Sequence, residues 1–281
     1  MLARAKVNLY LHVLGRRADG YHLLDSLIVF AETGDEIALQ PADRLSLTID
    51  GPFAAGLETE RDNLVLRAAR ALQSVTGTRA GAAIRLTKNL PVASGIGGGS
   101  ADAAATLAGL CSLWDLAPGR GALLDIAAKL GADVPVCLDG AASFVGGIGE
   151  DLAPARGLPP AWLVLANPGV ATPTPAVFKA LRGVFSKPAH WSHPPRDFAE
   201  FAKLLQATAN DLTEAAIAVT PAIRHVLAGL AALPGCVLAR LSGSGATCFG
   251  LFPDQATAQT AAARLQAQQP RWWIVAAPMA R

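Results

Sequence analysis

The sequence predicts a mixed α/β protein of two domains, and three features lead to this interpretation. Residues 6–13 alternate apolar and polar side chains, as a half-buried strand does. Residues 101–114 are alanine-rich, and their large apolar side chains recur at helical spacing. The stretch 156–160 has the composition of a linker. A chain of 281 residues is long enough for two moderate domains, which we place at 1–155 and 156–281.

Composition and charge exclude several classes of protein. Hydrophobic residues make up 52% of the chain and charged residues only 16%, which is typical of a compact globular protein. The formal net charge is +2 without any basic tract, so we expect no nucleic-acid partner and no anionic membrane surface. No uncharged apolar run approaches the ~20 residues that span a bilayer, and the N-terminus does not resemble a secretory leader. We therefore expect a cytoplasmic protein.

The four cysteines give no indication of a disulfide or a zinc site. They are widely spaced, each in an apolar context: Cys111, Cys137, Cys236 and Cys248. No C-x-x-C pair and no Cys/His spacing typical of metal ligands occurs in the sequence. We expect buried, reduced thiols.

The first predicted strand, residues 6–13, places Lys6 and Asn8 side by side on its polar face. On pattern alone this is more simply a solvated face. A polar turn leads to a second strand that opens at Tyr21 and His22 and runs through the apolar segment Leu27–Phe30. An aromatic residue beside a histidine at the mouth of a strand can stack on a nucleobase and hydrogen-bond to it, although packing is the commoner role.

A helix and a strand precede the most informative stretch of the chain. Residues 62–74 predict a helix, with Asp62 as its candidate cap and Asn63 in its first turn. Residues 83–86 then predict a strand.

The stretch Lys88–Asp102 contains four glycines in five positions, at 95 and 97–99, which allow a left-handed backbone and a close approach to a ligand. The alanine-rich helix follows at once, with Ser100 at the expected N-cap and Asp102 in the expected first turn. A glycine loop that enters a helix N-terminus collects N–H groups and the positive end of the helix dipole. We therefore predict an anion site, most simply for phosphate, with a flexible turn as the alternative. The loop has neither the ending of a Walker A motif nor the last glycine of a dinucleotide fingerprint.

A lone carboxylate follows the next predicted helix. Residues 123–130 predict this helix, which ends at Gly131, and Asp133 comes two residues later. An aspartate between a helix end and an apolar run is either a turn or capping residue or a catalytic group, because an unpartnered buried charge is costly. The glycines of 146–150 predict a tight hairpin.

The second half of the chain alternates strands and helices. The predicted elements are strands at 162–166, 237–240 and 272–276 and helices through residue 178 and over 255–268. From the pattern alone Phe178 is most simply a core residue of its helix. Ser242–Gly245 predicts a second loop of close backbone approach.

The glycine loop resembles that of the GHMP small-molecule kinases, whose pattern is P-x-x-x-G-L-G-G-[GS]-S-[SA]. Pro91 and Gly95 match the pattern, Ile96 replaces its leucine, and Gly97–Ala101 complete it. Ser94 departs mildly, because glycine or alanine is more usual there.

Two further segments narrow this resemblance to one branch of the family. Ala5–Leu9 and Gly15–His22 resemble the opening of the kinases that phosphorylate 4-diphosphocytidyl-2-C-methyl-D-erythritol. Other GHMP kinases share the glycine loop but not the G-Y-H segment. Asn210–Leu212 resembles the N-D-L segment of the family, a helix entry that we interpret as structural. Leu241–Gly245 resembles the third family motif, [LM]-[ST]-G-[ST]-G, so the resemblance extends from residue 3 to about 252. A short N-terminus is a further departure.

The resemblance implies a fold and an activity. The implied fold is the α+β two-domain GHMP kinase fold, with an N-terminal ribosomal protein S5 domain 2-like ATP-binding domain and a C-terminal ferredoxin-like domain that completes the substrate site. The implied reaction transfers a phosphoryl group from ATP, with Mg²⁺, to the 2-hydroxyl of 4-(cytidine 5′-diphospho)-2-C-methyl-D-erythritol in the non-mevalonate route to isoprenoid precursors. The expected partner is this small molecule, and we expect a monomer or a weak homodimer.

The resemblance also implies roles for single residues. Asp133, in a G-A-D-V-P segment, is the implied base or the group that orients the hydroxyl, and Lys6 is the cation that holds Asp133 ionised and offsets charge on the phosphoryl group. The residues implied to bind the nucleotide are Asn63, Lys88, Pro91, Val92, Ala93, Ser94, Gly95, Ile96, Gly97, Gly98, Gly99, Ser100 and Ala101. Those implied to bind the alcohol substrate are Asn8, Tyr21, His22, Thr174, Phe178, Gly243 and Ser244.

Two other hypotheses remain open at this point. The first is another GHMP kinase, acting on homoserine, mevalonate or a sugar, and the Gly20–His22 segment argues against it. The second is a catalytically silent sensor or interaction protein with the same fold. Loss of Lys6 or Asp133 would favour that hypothesis, and both residues are present.

Overall fold

The computed structural model describes residues 1–57, 63–183, 185–191 and 193–280, which fall into two compact units. The first unit consists of Met1–Ala5, Thr33–Val92 and Gly97–Gly140, and the second of Lys6–Glu32, Ala93–Ile96 and Ala141–Arg281. Each unit is therefore built from segments that are separated in the sequence. The division between 155 and 156 stays a prediction.

The described residues contain ten strands and nine helices. The strands are β1 (Leu2–Arg16), β2 (His22–Ala42), β3 (Ser46–Asp50), β4 (Gly81–Thr87), β5 (Ser143–Gly146), β6 (Asp151–Pro154), β7 (Trp162–Asn167), β8 (Leu238–Leu241), β9 (Cys248–Phe252) and β10 (Trp273–Pro278). The helices are α1 (Leu64–Thr76), α2 (Gly98–Leu113), α3 (Arg120–Leu130), α4 (Val134–Asp139), α5 (Thr174–Ala180), α6 (Phe198–Gln206), α7 (Thr213–Val219), α8 (Ala222–Ala231) and α9 (Gln255–Gln268).

The first unit packs helices on a small sheet. β4 pairs in parallel with β3 and antiparallel with the Glu36–Ala42 part of β2. Leu72 of α1 and Leu107 and Leu110 of α2 share one buried core with Leu86 of β4. Burying such side chains is the main favourable term in forming this unit, because each removes apolar surface from water.

The second unit contains an antiparallel sheet of four strands in the order β10-β7-β9-β8. Val164 of β7 and Phe252 of β9 lie in its core together with Val226 of α8 and Leu265 of α9. The hairpin of β5 and β6 pairs, through β5, with the Ser26–Ile28 part of β2. Among the described residues, no helix has both the length and the apolar character that a membrane span requires.

Most of the predicted elements are present near their predicted positions. The strands predicted at 6–13, 83–86, 162–166, 237–240 and 272–276 correspond to β1, β4, β7, β8 and β10, and the hairpin at 146–150 joins β5 to β6. The helices predicted over 101–114, 123–130, through 178 and over 255–268 correspond to α2, α3, α5 and α9. The four cysteines are free, with Cys248 buried and the others partly buried.

The predicted start of α2 was wrong. Gly97, at φ 65°, occupies the N-cap and the helix begins at Gly98, so Ser100 and Asp102 lie inside the helix and not at its cap and in its first turn. The glycine conformation that ends the loop also sets the first helical residue, and a pattern of cap residues cannot detect this.

Two further boundaries differ from their predictions. The second strand does not end near residue 30 but continues to Ala42, as β2. The predicted cap Asp62 lies outside the described residues, and the side chain of Asn63 caps α1 instead, accepting a hydrogen bond from Val65 N at 2.9 Å.

Candidate active site

The carbonyls of residues 93–96, the first half of the glycine loop, all accept hydrogen bonds within the second unit. In order along the loop the donors are Thr172 N (3.2 Å), Thr247 N (3.0 Å), Ser242 Oγ (3.0 Å) and Lys6 N (2.9 Å). Carbonyl oxygens repel an anion. Because the protein itself engages these four carbonyls, the main chain is held in place here and the carbonyl oxygens already have partners.

Close contact with the third motif explains why Gly95 must be glycine. Its φ is 78°, and a Cβ built on it would lie 2.5 Å from Ser242 O. The same holds for Gly243 on the other side, with φ 54° and a Cβ position 2.9 Å from Gly95 O. At these two glycines the loops therefore pack backbone against backbone.

The second half of the loop forms the N-terminus of α2 in the first unit. The N–H groups of Gly98, Gly99 and Ser100 have no acceptor within the helix, as at every α-helix start, and the positive end of the helix dipole lies at the same point. This geometry suits a phosphate group, which agrees with the predicted anion site.

Lys88 lies beneath this helix start and is engaged by two carboxylates. Its Nζ is buried and contacts the carboxylates of Asp35 and, at 2.8 Å, Asp102. The predicted role of Lys88 toward the nucleotide is therefore more simply a positioning role than a direct contact of its ammonium with phosphate.

Lys6 and Asn8 are buried, which excludes the solvated face that the strand pattern left open. Lys6 Nζ donates a hydrogen bond to Asn8 Oδ1 at 3.0 Å, and Asn8 Nδ2 donates to Ser26 Oγ at 2.8 Å. Asn8 N also donates to Ser242 Oγ at 3.2 Å. Asn8 thus orients the Lys6 ammonium, in addition to any contact that it makes with substrate.

Asp133 occupies the N-cap position of α4 in the first unit, but its side chain makes no capping hydrogen bond. The capping role that the sequence left open is therefore absent. Its φ and ψ of −86° and −9° are close to helical values, and Pro135 in the first turn of α4 suits a helix start.

An aromatic surface is present at the start of β2. The His22 ring stacks on the Phe178 ring with centroids 5.0 Å apart and planes 27° apart. Desolvation and the neighbouring Arg16 charge lower the pKa of His22, so the imidazole is neutral at pH 7 and can donate or accept a hydrogen bond. Tyr21 is 60% exposed, which leaves its ring available to a ligand.

The third motif is held by Asn210, whose importance the sequence did not reveal, and by Thr174. Asn210 Nδ2 donates to Leu241 O and Gly243 O, both at 2.8 Å, and Thr174 Oγ1 lies 2.7 Å from Ser244 Oγ. The sequence indicated Asn210 only as part of a helix entry. Its spacing from Gly243 along the chain carries no signal of their contact.

Comparison with known protein families matches two parts of the chain. Residues 63–147 match the GHMP kinases N terminal domain, and residues 179–271 match the GHMP kinases C terminal domain. Among curated relatives, a 4-diphosphocytidyl-2-C-methyl-D-erythritol kinase of Paramagnetospirillum magneticum is 55% identical, over 99% of this chain and 97% of that protein. One of Cereibacter sphaeroides is 56% identical, over 99% and 98%.

The chain belongs to the 4-diphosphocytidyl-2-C-methyl-D-erythritol kinases of the GHMP family. A solved 4-(cytidine 5′-diphospho)-2C-methyl-D-erythritol kinase has 35% identity and a TM-score of 0.81, covering all of this chain and 99% of that one. L. major mevalonate kinase, solved in complex with R-mevalonate, superposes with a TM-score of 0.70 at 14% identity, which reflects the shared fold. The predicted family and the predicted GHMP kinase fold are thus confirmed.

As a GHMP kinase, the chain uses ATP. The family match covers the glycine loop and Asp133 in its first part, and Phe178 lies just before its second part. The roles of the individual site residues stay predictions, and the geometry above shows which of them are placed to act together within each unit.

Proposed function

We propose that this kinase transfers the γ-phosphoryl group of ATP to the 2-hydroxyl of 4-(cytidine 5′-diphospho)-2-C-methyl-D-erythritol, a step in the non-mevalonate supply of isoprenoid precursors. The observation that carries the proposal is the direct bond between Lys6 N and Ile96 O, at 2.9 Å. It joins the strand that carries a buried ammonium to the glycine loop, whose carbonyls at 93–96 are all engaged by the protein. Phosphoryl transfer depends mainly on such positioning and charge neutralisation.

The nucleotide phosphates are assigned to the backbone of the glycine loop and the N-terminus of α2. Backbone N–H groups and the helix dipole hold negative charge without any side-chain cation. Asn63, at the cap of α1, is assigned to the adenine side; its Oδ1 accepts one bond from Val65 N and its Nδ2 has two donors.

The acceptor hydroxyl is assigned to Asp133. Its carboxylate aligns the hydroxyl for attack and takes its proton late in the transfer. The Lys6 ammonium, held by Asn8 Oδ1, offsets the charge that develops on the transferring phosphoryl group.

The cytosine is assigned to the aromatic surface at Tyr21, His22 and Phe178. Stacked rings accept the face of a base, and the neutral imidazole of His22 can hydrogen-bond its edge. Thr174, Gly243 and Ser244 are assigned to the remaining polar groups of the substrate, because their hydroxyl and backbone groups share one loop cluster.

The Mg²⁺ of the reaction is proposed to arrive bound to the phosphates of ATP. In the part of the chain that the structure describes, no group of three or more His, Cys, Asp or Glu side chains could hold a metal ion. Mg²⁺ commonly keeps several waters and relies on substrate phosphates, so a dedicated protein site is not required. When bound, the ion neutralises charge on the β- and γ-phosphates.

We also propose that the protein acts in the cytoplasm as a monomer or weak homodimer, without a nucleic-acid partner. The formal net charge of +2 and the lack of a basic tract in the sequence support the last point.

The deciding experiment measures ADP release from Mg·ATP by the purified protein. The cytidylyl substrate is compared with homoserine, mevalonate and galactose, and phosphorus NMR identifies the phosphorylated hydroxyl. We expect turnover with the cytidylyl compound alone and a new phosphate on its 2-hydroxyl. The Asp133→Asn variant is the matched control, and we expect it to lose most of this turnover while still binding ATP.

Two results would contradict the proposal in different ways. Turnover with another alcohol would support the kinase activity but contradict the assignment of the cytosine site. ATP binding without turnover on any alcohol would favour the silent sensor.

A further inference from the structure

One buried ammonium in the first unit is shared by two buried carboxylates. Lys88 Nζ contacts Asp35 Oδ2 and Asp102 Oδ2, and the side chains of Lys88, Asp35 and Asp102 are 5%, 0% and 4% exposed. The three residues come from different elements: β2, the segment after β4, and α2. We call them the Lys88 cluster.

The Lys88 cluster holds both ends of the glycine loop. Before the loop, Asp35 Oδ1 accepts hydrogen bonds from Asn89 N at 2.6 Å and Leu90 N at 2.8 Å. After the loop, Asp102 belongs to α2, and a Cβ built on Gly98 would lie 3.4 Å from both Asp35 Oδ2 and Lys88 Nζ. The helix start therefore rests directly on the shared ammonium.

If both carboxylates are ionised, the Lys88 cluster carries two negative charges and only one positive charge. Asp102 Oδ1 is buried and, among the described residues, has no hydrogen-bond partner. A buried carboxylate oxygen without a donor is costly, and protonation of that carboxylate removes the excess charge.

The pKa shifts within the Lys88 cluster agree with this excess of negative charge. Desolvation and the neighbouring Asp35 raise the pKa of Asp102 to about 7 despite the opposing effect of Lys88. The pKa of Lys88 is raised by its two carboxylates against its own desolvation, so the ammonium stays charged. Among the described residues, Lys88 and Asp35 are the charged groups that act on Asp102.

We propose that the Lys88 cluster positions the glycine loop and that Asp102 takes up one proton from solvent when Mg·ATP binds there. The inference rests on the proposed function only in taking this loop as the ATP site. The triphosphate adds negative charge at the start of α2, the helix that carries Asp102, which further disfavours the ionised carboxylate. The proton binds to a carboxylate oxygen of Asp102, and Lys88 and Asp35 keep their ion pair.

Calorimetry of Mg·ATP binding tests whether Asp102 takes up a proton. Binding heats of the full-length protein are measured in buffers of different ionisation enthalpy between pH 7 and 8.5, for the wild type and Asp102→Asn. We expect the wild type to take up more protons than the variant, by up to one. We also expect its ATP affinity to fall with rising pH, by up to about tenfold per pH unit, relative to that of the variant. Protonation of the nucleotide itself cancels in this comparison.

Equal proton uptake and parallel pH profiles in the two proteins would overturn the assignment of the proton to Asp102. Because no alcohol substrate is present, failure of the proposed phosphorylation leaves this test intact.

Steady-state kinetics of Asp35→Asn test the positioning role. The variant loses the ion pair with Lys88, so we expect a KM for ATP at least tenfold higher and an unchanged KM for the alcohol. Asp50→Asn is the matched control, since Asp50 pairs with the exposed Arg85 in the same unit. Equal KM values for ATP in Asp35→Asn and the wild type would refute positioning. If Asp35→Asn does not fold, Lys88→Arg replaces it. We then expect the same result, a raised KM for ATP and an unchanged KM for the alcohol.

Discussion

At the scale of single residues, the site depends on the buried ammonium of Lys6. Its backbone N–H holds Ile96 O and its Nζ is oriented by Asn8. Lys6→Ala removes the charge and keeps the backbone bond. We therefore expect kcat to fall about 10³-fold, the size of effect seen when a preorganised electrostatic contact is lost, while ATP binding measured by calorimetry is retained.

Lys129→Ala, on the exposed surface of α3, is the matched control and should leave kcat unchanged. A Lys6→Ala variant with the kcat of the wild type would remove Lys6 from the mechanism.

Phe178 provides the second prediction at this scale. Stacking of a base on an aromatic side chain contributes about 1–3 kcal/mol, so Phe178→Ala is expected to raise the KM for the cytidylyl substrate about tenfold or more. The KM for ATP should not change, and Phe178→Tyr, which keeps a ring, should restore substrate binding. Equal increases in both KM values would indicate that Phe178 acts only as the core residue that its pattern suggests.

The sequence predicted residues whose positions follow from a local pattern, but it did not predict residues that act through contacts with distant segments of the chain. Alternation placed Lys6 and Asn8 on one face of β1, because strand side chains alternate regardless of the rest of the fold. Asn210 and Ser242 reach their partners across 33 and 147 residues of sequence, respectively, and no local pattern reports such contacts. The orphaned oxygen of Asp102 likewise depends on what surrounds it.

At the scale of elements, the glycine loop and the third motif act as one assembly. Ser242 Oγ accepts from Asn8 N and donates to Gly95 O, so one hydroxyl joins β1, the glycine loop and the loop after β8. Ser242 is also the one side-chain donor to the carbonyls of 93–96, the other three donors being backbone.

Ser242→Ala is therefore expected to raise the KM for ATP about tenfold, because two buried backbone groups lose their partner. Ser242→Thr keeps the hydroxyl and should restore the KM. Ser244→Ala, two residues later, should alter the KM for the alcohol instead, since Ser244 faces Thr174. An unchanged KM for ATP in Ser242→Ala would show that the three backbone bonds alone fix the loop.

Element boundaries were harder to predict than the elements themselves. The continuation of β2 to Ala42 depends on pairing with β4 in the first unit, which lies about forty residues further along the chain. The short α4 follows Asp133 through an apolar run that is equally compatible with a buried strand.

At the scale of the whole molecule, the buried guanidinium of Arg240, which has no carboxylate partner among the described residues, contributes to stability. Arg240 donates to the carbonyls of Leu9, Leu205 and Thr208 at 2.7, 2.9 and 2.6 Å. Burial lowers the pKa of Arg240 to about 10, so the guanidinium remains charged at neutral pH. It thereby joins β1 to the end of α6 and to β8.

Arg240→Met leaves these carbonyls unpaired in the interior. We expect it to lower the free energy of unfolding by about 3 kcal/mol, measured by urea denaturation. Arg264→Met, at an exposed position of α9, should change it by less than about 0.5 kcal/mol. Equal unfolding free energies for Arg240→Met and the wild type would mean that water replaces the guanidinium at no cost.

Neither compact unit is a continuous stretch of sequence, since β1 and β2 both contribute residues to each. Composition and a linker-like segment indicate where a chain could be divided, but they do not report which separated segments pack together. The fold class could be predicted because the family motifs and the element order agree.

The anchoring of residues 93–96 by their carbonyls has a consequence for drug resistance and for engineering. An inhibitor that binds the main-chain amides of this loop contacts atoms that every amino acid possesses, so few substitutions within the loop can evade it. Three of the four donors to these carbonyls are also backbone N–H groups, those of Lys6, Thr172 and Thr247, and only the hydroxyl of Ser242 is a side-chain group. Resistance mutations, and libraries designed to accept a different phosphate donor, should therefore concentrate at Ser242, far away in the sequence.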